Sequence, residues 1–371
     1  MDMSFYMPTD VRTGRGCLAA GGAALSRLGA RCLVVTGKTS ARASGALDDL
    51  AAVLAGAGIA YTVFDGIGQN PTYAACLAAA GEAKAMGAEF IIGIGGGSPL
   101  DAAKAVAVLT ACRDTSAEAL FSCKWDADPL PIVAIGTTAG TGSEVTPVAV
   151  ITTPAGRKTS IRAASLYPTV TFGDAAYTAS LSPAFTRSTA LDALAHCLES
   201  YYNRTANDIS RTYAARGVAI LAEMLEKTAT ADTRPLTEAE REALYISSLY
   251  AGLAISVTGT AFPHALGYFL SEEHGIPHGN ACAVYLEAFI RHNEAVAPSE
   301  THALSQAAGI TPDGLCALVG ANLPPLAVTL TEDDLAALAP RFADNKSLKK
   351  CLGSVDQDYA TALLRQMFVA R

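Results

Sequence analysis

A change of texture near Asp174 constrains the fold more than any other feature of the chain. Before it, short apolar runs rich in β-branched residues alternate with helical patterns; after it, strand-like runs largely disappear. Residues 31–37 (RCLVVTG), 60–65 (AYTVFD), 89–95 (EFIIGIG) and 131–136 (PIVAIG) read as strands. Helices are predicted between them over 44–58, 73–87 and 98–111. Strands alternating with helices of about ten to fifteen residues indicate a parallel sheet covered on both faces. Beyond the change, 183–203, 209–227, 238–257 and 279–297 predict long helices. The expected class is therefore α/β plus all-α, with an α/β domain over 1–178 and a helical domain over 179–371. A length of 371 residues suits two to three domains at about 150 residues each.

Composition excludes several functions. The formal net charge is −8, so there is no basic footprint for nucleic acid or for an anionic membrane surface. Half the residues are apolar and 17 % are charged, which argues against disorder. The nine cysteines are scattered, without a CxxC pair, and suggest neither a disulfide framework nor a thiolate zinc site. Reduced thiols fit a cytoplasmic protein. The first ten residues lack the basic and apolar regions of a signal peptide. Residues 245–271 carry no Asp, Glu, Lys or Arg and are long enough to span a bilayer. Their serines, threonines, glycines, Pro263 and His264, without a flanking Lys/Arg bias, favour a buried helix instead.

Three predicted strands end in glycine-rich loops, and ligands of parallel sheets bind beyond such strand ends. Gly95-Gly96-Gly97-Ser98-Pro99 follows a strand and opens a helix. Its glycines let backbone amides approach a diphosphate, and Ser98 is placed to cap the helix. A plain tight turn is the competing reading. Gly14-Arg15-Gly16 looks more like a GxGxxG start, but no buried strand precedes it. The Gly136–Gly142 loop lacks the lysine of a P-loop, so an NTPase is not expected; its threonines suit a nucleotide or ribose. Gly37, Lys38 and Ser40 follow the first strand with no carboxylate before Asp48. If this loop meets the adenosine ribose it favours a 2′-phosphate; a solvated turn fits it equally.

Asp192 and His196 stand at i and i+4 of a strongly helical segment, so they share a face and can share an ion. His264 lies in the charge-free stretch, and His278 in a loop before the next helix. One carboxylate and three imidazoles suit Fe²⁺, Zn²⁺, Ni²⁺ or Co²⁺ better than Mg²⁺ or Ca²⁺. Each histidine taken singly also reads as an ordinary core or surface residue, and spacing alone does not join them.

The chain resembles the iron-activated (group III) alcohol dehydrogenases. The resemblance rests on Phe5-Tyr6-Met7-Pro8-Thr9, Phe64-Asp65-Gly66, Asn70-Pro71-Thr72, the run Gly95 to Lys104, the run Thr137 to Thr146, Asp192-Ala193-Leu194-Ala195-His196 and Pro277-His278-Gly279, in order over residues 5 to about 290. It implies a Rossmann-like dinucleotide domain, a helical domain of the dehydroquinate-synthase-like kind, and an active site in the cleft between them. It implies that Asp192, His196, His264 and His278 bind the metal, through which they are catalytic. It further implies that Gly96, Gly97, Ser98 and Asp101 line the cofactor diphosphate, with Thr137, Thr138, Thr141 and Lys158 nearby. Many relatives carry a second histidine four residues after the third ligand. Tyr268 stands there in this chain, which puts a proton-relay role of that histidine in doubt and reshapes the substrate pocket.

The expected activity is reversible hydride transfer between a small primary alcohol, diol or aldehyde and NADP(H), preferred over NAD(H), at an Fe²⁺ centre that could also take Zn²⁺. Other enzymes on the same scaffold are the main alternative: a glycerol dehydrogenase, a maleylacetate reductase or a dehydroquinate-synthase-like lyase. A non-catalytic nucleotide-binding protein is a remote one. The partners expected are a small-molecule alcohol or aldehyde and further copies of the chain, as a homodimer or larger, with no nucleic acid and no membrane.

Overall fold

A computed structural model of the protein describes residues 3–229 and 234–369. The chain forms two compact units. One comprises Tyr6–Leu181 and Leu236–Tyr245; the other comprises Met1–Phe5, Ser182–Pro235 and Ile246–Arg371.

The first unit holds eight strands: β1 (Asp10–Thr13), β2 (Arg31–Thr36), β3 (Ala60–Phe64), β4 (Phe90–Gly95), β5 (Ile132–Gly136), β6 (Val148–Thr152), β7 (Lys158–Arg162) and β8 (Val170–Gly173). Its helices are α1 (Gly22–Ser26), α2 (Ser40–Ala43), α3 (Ala46–Gly56), α4 (Tyr73–Met86), α5 (Gly97–Ala111) and α6 (Ala117–Ser122). Six strands form one parallel sheet in the order β1-β8-β5-β4-β2-β3, and β6 and β7 form an antiparallel hairpin. Alternate residues of the central strands serve two cores. Leu33, Val35 and Ile91 pack beneath α4 and α5, while Cys32, Val34, Phe90 and Ile92 pack with Leu47, Leu50 and Leu54 of α3. Burial on both faces is why these strands read as continuous apolar runs.

After β2 the chain places β3 on one side and β4 on the other. That reversal puts the topological switch point between the ends of β2 and β4, where doubly wound sheets bind ligands. Those ends are Gly37 and Gly95–Ser98.

The second unit is helical: α7 (Pro183–Tyr201), α8 (Asp208–Thr228), α9 (Glu238–Thr258) from Ile246 onward, α10 (Phe262–Glu273), α11 (His278–Ala283), α12 (Leu286–Val296), α13 (Pro298–Ala308), α14 (Pro312–Asn322), α15 (Glu332–Leu338) and α16 (Gln357–Phe368). Ser182 caps α7 by accepting from the Phe185 amide, and Pro183 suits its first turn. From Thr186 to Tyr201 nearly every residue of α7 is buried, so this is the central helix of its unit.

Three features depart from the sequence expectations. Segment Leu236–Tyr245, expected in the helical half, joins the α/β unit. There Tyr245 Oη donates to Glu144 Oε1 (3.1 Å), and Arg241 donates to the Thr178 carbonyl (2.7 Å). The helix expected over 279–297 is two helices, because the Tyr285 amide turns back to the Cys282 carbonyl three residues earlier. The charge-free stretch divides into α9 and α10, bent by 110°, and among the described residues no single helix is long and apolar enough to cross a membrane. Strands β1, β6, β7 and β8 lie outside the four predicted.

Candidate active site

Three helices of the second unit bring the histidines and Asp192 together. Glycine makes the approach feasible. A Cβ at Gly279, on α11, would run into the Ser188 carbonyl oxygen of α7, so the two backbones touch only because residue 279 has none. That contact sets His278, the first residue of α11, beside Asp192. His278 Nε2 lies 3.9 Å from Asp192 Oδ1, and His264 Nε2 of α10 lies 3.5 Å from the same oxygen.

Behind His264 stands Glu199, fully buried on α7. Its Oε1 accepts from the backbone N–H groups of Ala261 (2.8 Å) and His264 (3.1 Å), and its Oε2 meets His264 Nδ1 in a short hydrogen bond. A carboxylate only accepts, so Nδ1 carries a proton, and in the neutral ring Nε2 presents a lone pair. His264 Nε2 and Asp192 Oδ1 are both buried and have no hydrogen-bond partner among the described residues. With the ring neutral, two acceptors face each other, and a proton or a cation must stand between them. A buried acceptor left this way costs about 1–3 kcal/mol unless a cation or proton joins it.

The electrostatics lean the same way. Burial pushes the Asp192 carboxyl up, but the imidazoles of His196, His278 and His264 outweigh it and hold the group well below the usual carboxylate range. Burial pulls His264 down, but Cys282, Glu199 and Asp192 together hold its imidazole well above its ordinary value, so the site favours a positive charge at Nε2, which a bound cation would supply in place of the proton. A divalent transition metal fits this carboxylate–imidazole set, which neutralises the same excess of acceptors.

Asp192, His264, His278 and Cys282 offer ligand atoms that all lie within 4.8 Å of one another. His196 is outside that group. Its ring stacks on the ring of His264 with centroids 4.4 Å apart. Tyr268 lies parallel to His278 at 5.9 Å, and burial pushes its hydroxyl up to about 12, so it stays a neutral phenol in neutral solution.

In the α/β unit, Gly96 and Gly97 sit against Thr138 and Thr141; a Cβ on either would lie 2.9 Å from the threonine methyl. The two loops expected to line a cofactor are therefore in contact. Helix α5 begins at Gly97, one residue earlier than expected, and its N-cap is Gly96 with no side-chain cap. Ser98 is thus not the cap: its hydroxyl accepts from the Asn70 amide (3.3 Å). Gly97 and Ser98 put their amides at the N-terminus of this helix, a position that favours phosphate. Thr137 Oγ1 is buried with no partner among the described residues. Asp101 is turned to the protein: its two oxygens accept from Ser143 Oγ (2.7 Å) and the Val150 amide (2.8 Å). Lys158 opens β7 in the hairpin. Gly37 and Ser40 adjoin one another at the end of β2, where Lys38 is exposed.

Comparison with known proteins identifies this combination. The profile described as iron-containing alcohol dehydrogenase matches residues 8–175, and that of the C-terminal part of the same family matches residues 186–322. The chain belongs to the iron-containing alcohol dehydrogenase family. This alcohol dehydrogenase is an oxidoreductase with the parallel-sheet and helical units of that family. It is 35 % identical to the long-chain primary alcohol dehydrogenase AdhA of Thermoanaerobacter ethanolicus over 74 % of this chain and 68 % of that one. A crystal structure of an iron-containing alcohol dehydrogenase from Thermotoga maritima superposes with TM-score 0.90 at 34 % identity, covering 98 % and 99 % of the two chains. Sulfoacetaldehyde reductase from Bifidobacterium kashiwanohense, solved in complex with NAD⁺, gives 0.87 at 26 % identity over 99 % of both.

Two residues of this alcohol dehydrogenase's site escaped the sequence reading. Glu199 follows Asp192 and His196 at i+7 and i+3, on the same helix face, a spacing that could have found it. Cys282 stands at i+4 from His278, a relation hidden while His278 was read as a loop residue.

Proposed function

We propose that this enzyme interconverts a small primary alcohol or diol and its aldehyde with NADP(H), preferred over NAD(H), at a divalent metal centre of iron or zinc. The facing, unpartnered Asp192 Oδ1 and His264 Nε2 carry this reading. Asp192, His264 and His278 would hold the ion, and His196 is the fourth ligand that the family resemblance implies. When bound, such an ion polarises the oxygen of an alcohol or carbonyl. The protein's own contribution is placement: Glu199 fixes the His264 tautomer, and Tyr268 stacks on His278 and narrows its freedom. In the α/β unit the α5 amides and the Thr137, Thr138 and Thr141 loop would take the dinucleotide, which exchanges the hydride with substrate. Gly37, Lys38 and Ser40, at the switch point without a carboxylate and with Lys38 exposed, support a 2′-phosphate there. We further read the enzyme as a cytoplasmic homodimer or larger assembly; its nine unpaired cysteines suit a reducing compartment.

The test is kcat/KM for a panel of short aldehydes, measured with NADPH and with NADH on metal-reconstituted enzyme. Turnover with a preference for NADPH is expected. A strong preference for NADH would overturn the reading of Gly37–Ser40, and no turnover with any aldehyde would overturn the substrate class.

A further inference from the structure

We propose that Tyr245 is a positioning residue for the nicotinamide half of the dinucleotide, acting through Glu144 on the loop that opens at Thr137. This rests on the reading of that loop given above and adds to it two buried residues behind the loop.

Tyr245 belongs to the Leu236–Tyr245 segment that joins the α/β unit. Its ring lies against the carboxyl ends of the paired strands β5 and β8, and both of those strands end in glycine. A Cβ at Gly173, the last residue of β8, would lie 2.6 Å from Tyr245 Cε1, and one at Gly136, the last residue of β5, would collide with Tyr245 Oη and the Glu144 carboxyl. Two adjoining strands therefore end without side chains, and the phenol and the carboxyl fill the slot this leaves. Tyr245 Oη donates to Glu144 Oε1 (3.1 Å), and each residue is only 2 % exposed. Glu144 Oε2 has no hydrogen-bond partner among the described residues, so the phenol is the side-chain donor that holds this carboxyl. Burial pushes the Glu144 carboxyl up and the Tyr245 hydroxyl well above its ordinary value, so the phenol keeps its proton and donates it. A ring needed only to fill space would have no use for a carboxyl at its tip, which costs free energy to bury.

The pair acts on both ends of the loop. Thr137 follows Gly136, and its amide donates to the Gly95 carbonyl (2.9 Å), tying the loop to the turn before α5. At the other end the Glu144 carbonyl accepts from Thr171 Oγ1 of β8 (2.9 Å), and Ser143 Oγ is held by Lys104 (2.7 Å). The sheet order assigns the half of the cofactor. A dinucleotide with its adenosine ribose at β2 and its diphosphate at the start of α5, after β4, continues across the next strand end, which is that of β5.

Binding to the whole chain separates the two halves. The probes are the coenzyme that the wild type binds more tightly, NADPH or NADH, followed by nucleotide fluorescence, and its adenosine half alone, 2′,5′-ADP or ADP, followed by calorimetry. Tyr245→Phe removes one hydroxyl. Coenzyme affinity is expected to fall about tenfold, the worth of one buried hydrogen bond, while affinity for the fragment stays within about twofold. KM for the coenzyme should rise by the same factor, with KM for aldehyde and the metal content unchanged. Tyr245→Phe combined with Glu144→Gln should lose no more than the worse single variant, because the two residues act as one unit. Unchanged coenzyme affinity in Tyr245→Phe, equal losses of coenzyme and fragment, or additive losses in the double variant would overturn the proposal alone. A wild type that binds neither coenzyme would sink it together with the reading of the loop.

Discussion

At the residue scale, the site depends on a few buried polar groups whose partners are fixed by geometry. Glu199 is the plainest case, because it holds both the backbone and the ring of His264. Glu199→Gln keeps the volume but offers Nδ1 a weaker, orientation-dependent acceptor. Metal affinity should fall about 10- to 100-fold, measured by competition with a chelator, with circular dichroism unchanged. Asp192 and His196 were legible because i and i+4 on a helix need no tertiary information. The meeting of His264 with His278 was not, because it depends on how close α10 and α11 come to α7.

At the scale of elements, two contacts can be tested. Gly279→Ala puts a methyl against the Ser188 carbonyl, and α11 must move away from α7. A loss of about 1–3 kcal/mol in denaturant unfolding is expected, with reduced metal content. Lys104, on α5, is buried and donates to the Ser143 carbonyl (2.8 Å), Ser143 Oγ (2.7 Å) and the Val148 carbonyl (2.7 Å), with Asp101 at 3.8 Å. It ties the Thr141–Ser143 loop and the β6–β7 hairpin to the helix. Lys104→Met strands these groups and the Asp101 charge, and should destabilise the α/β unit by about 3–5 kcal/mol. Strands β2, β4 and β5 were legible because burial on both faces demands unbroken apolar runs. β1 (DVRT) was not: an edge strand with one flank exposed has little apolar requirement, and pairing with β8 defines it. Ser98 was misread as a cap because the sequence does not reveal that Gly95 adopts φ 150°, which starts the helix a residue early.

At the scale of the molecule, the loops proposed to take the dinucleotide belong to one unit and the group proposed to hold the metal to the other. His264→Ala or His278→Ala should therefore abolish turnover and metal binding while NADPH binding, followed by nucleotide fluorescence, persists. Chelation should act on the helical unit. Metal at a thousandfold excess over its Kd contributes about 4 kcal/mol, so removing it should lower that unit's Tm by roughly 10 °C in calorimetry. The change from strands to helices near Asp174 made the two-part architecture legible. The return of Leu236–Tyr245 to the α/β unit was not legible, since the bonds of Tyr245 to Glu144 and Arg241 to Thr178 join residues far apart in sequence.

The central claim is that Asp192, His264 and His278 gather one divalent ion that serves the reaction. Elemental analysis of purified wild-type enzyme and of Asp192→Asn tests it most directly. The account predicts close to one transition-metal ion per chain in the wild type and almost none in the variant. A metal-free wild type that still turns over aldehyde, or a variant that retains its full metal content, would contradict it.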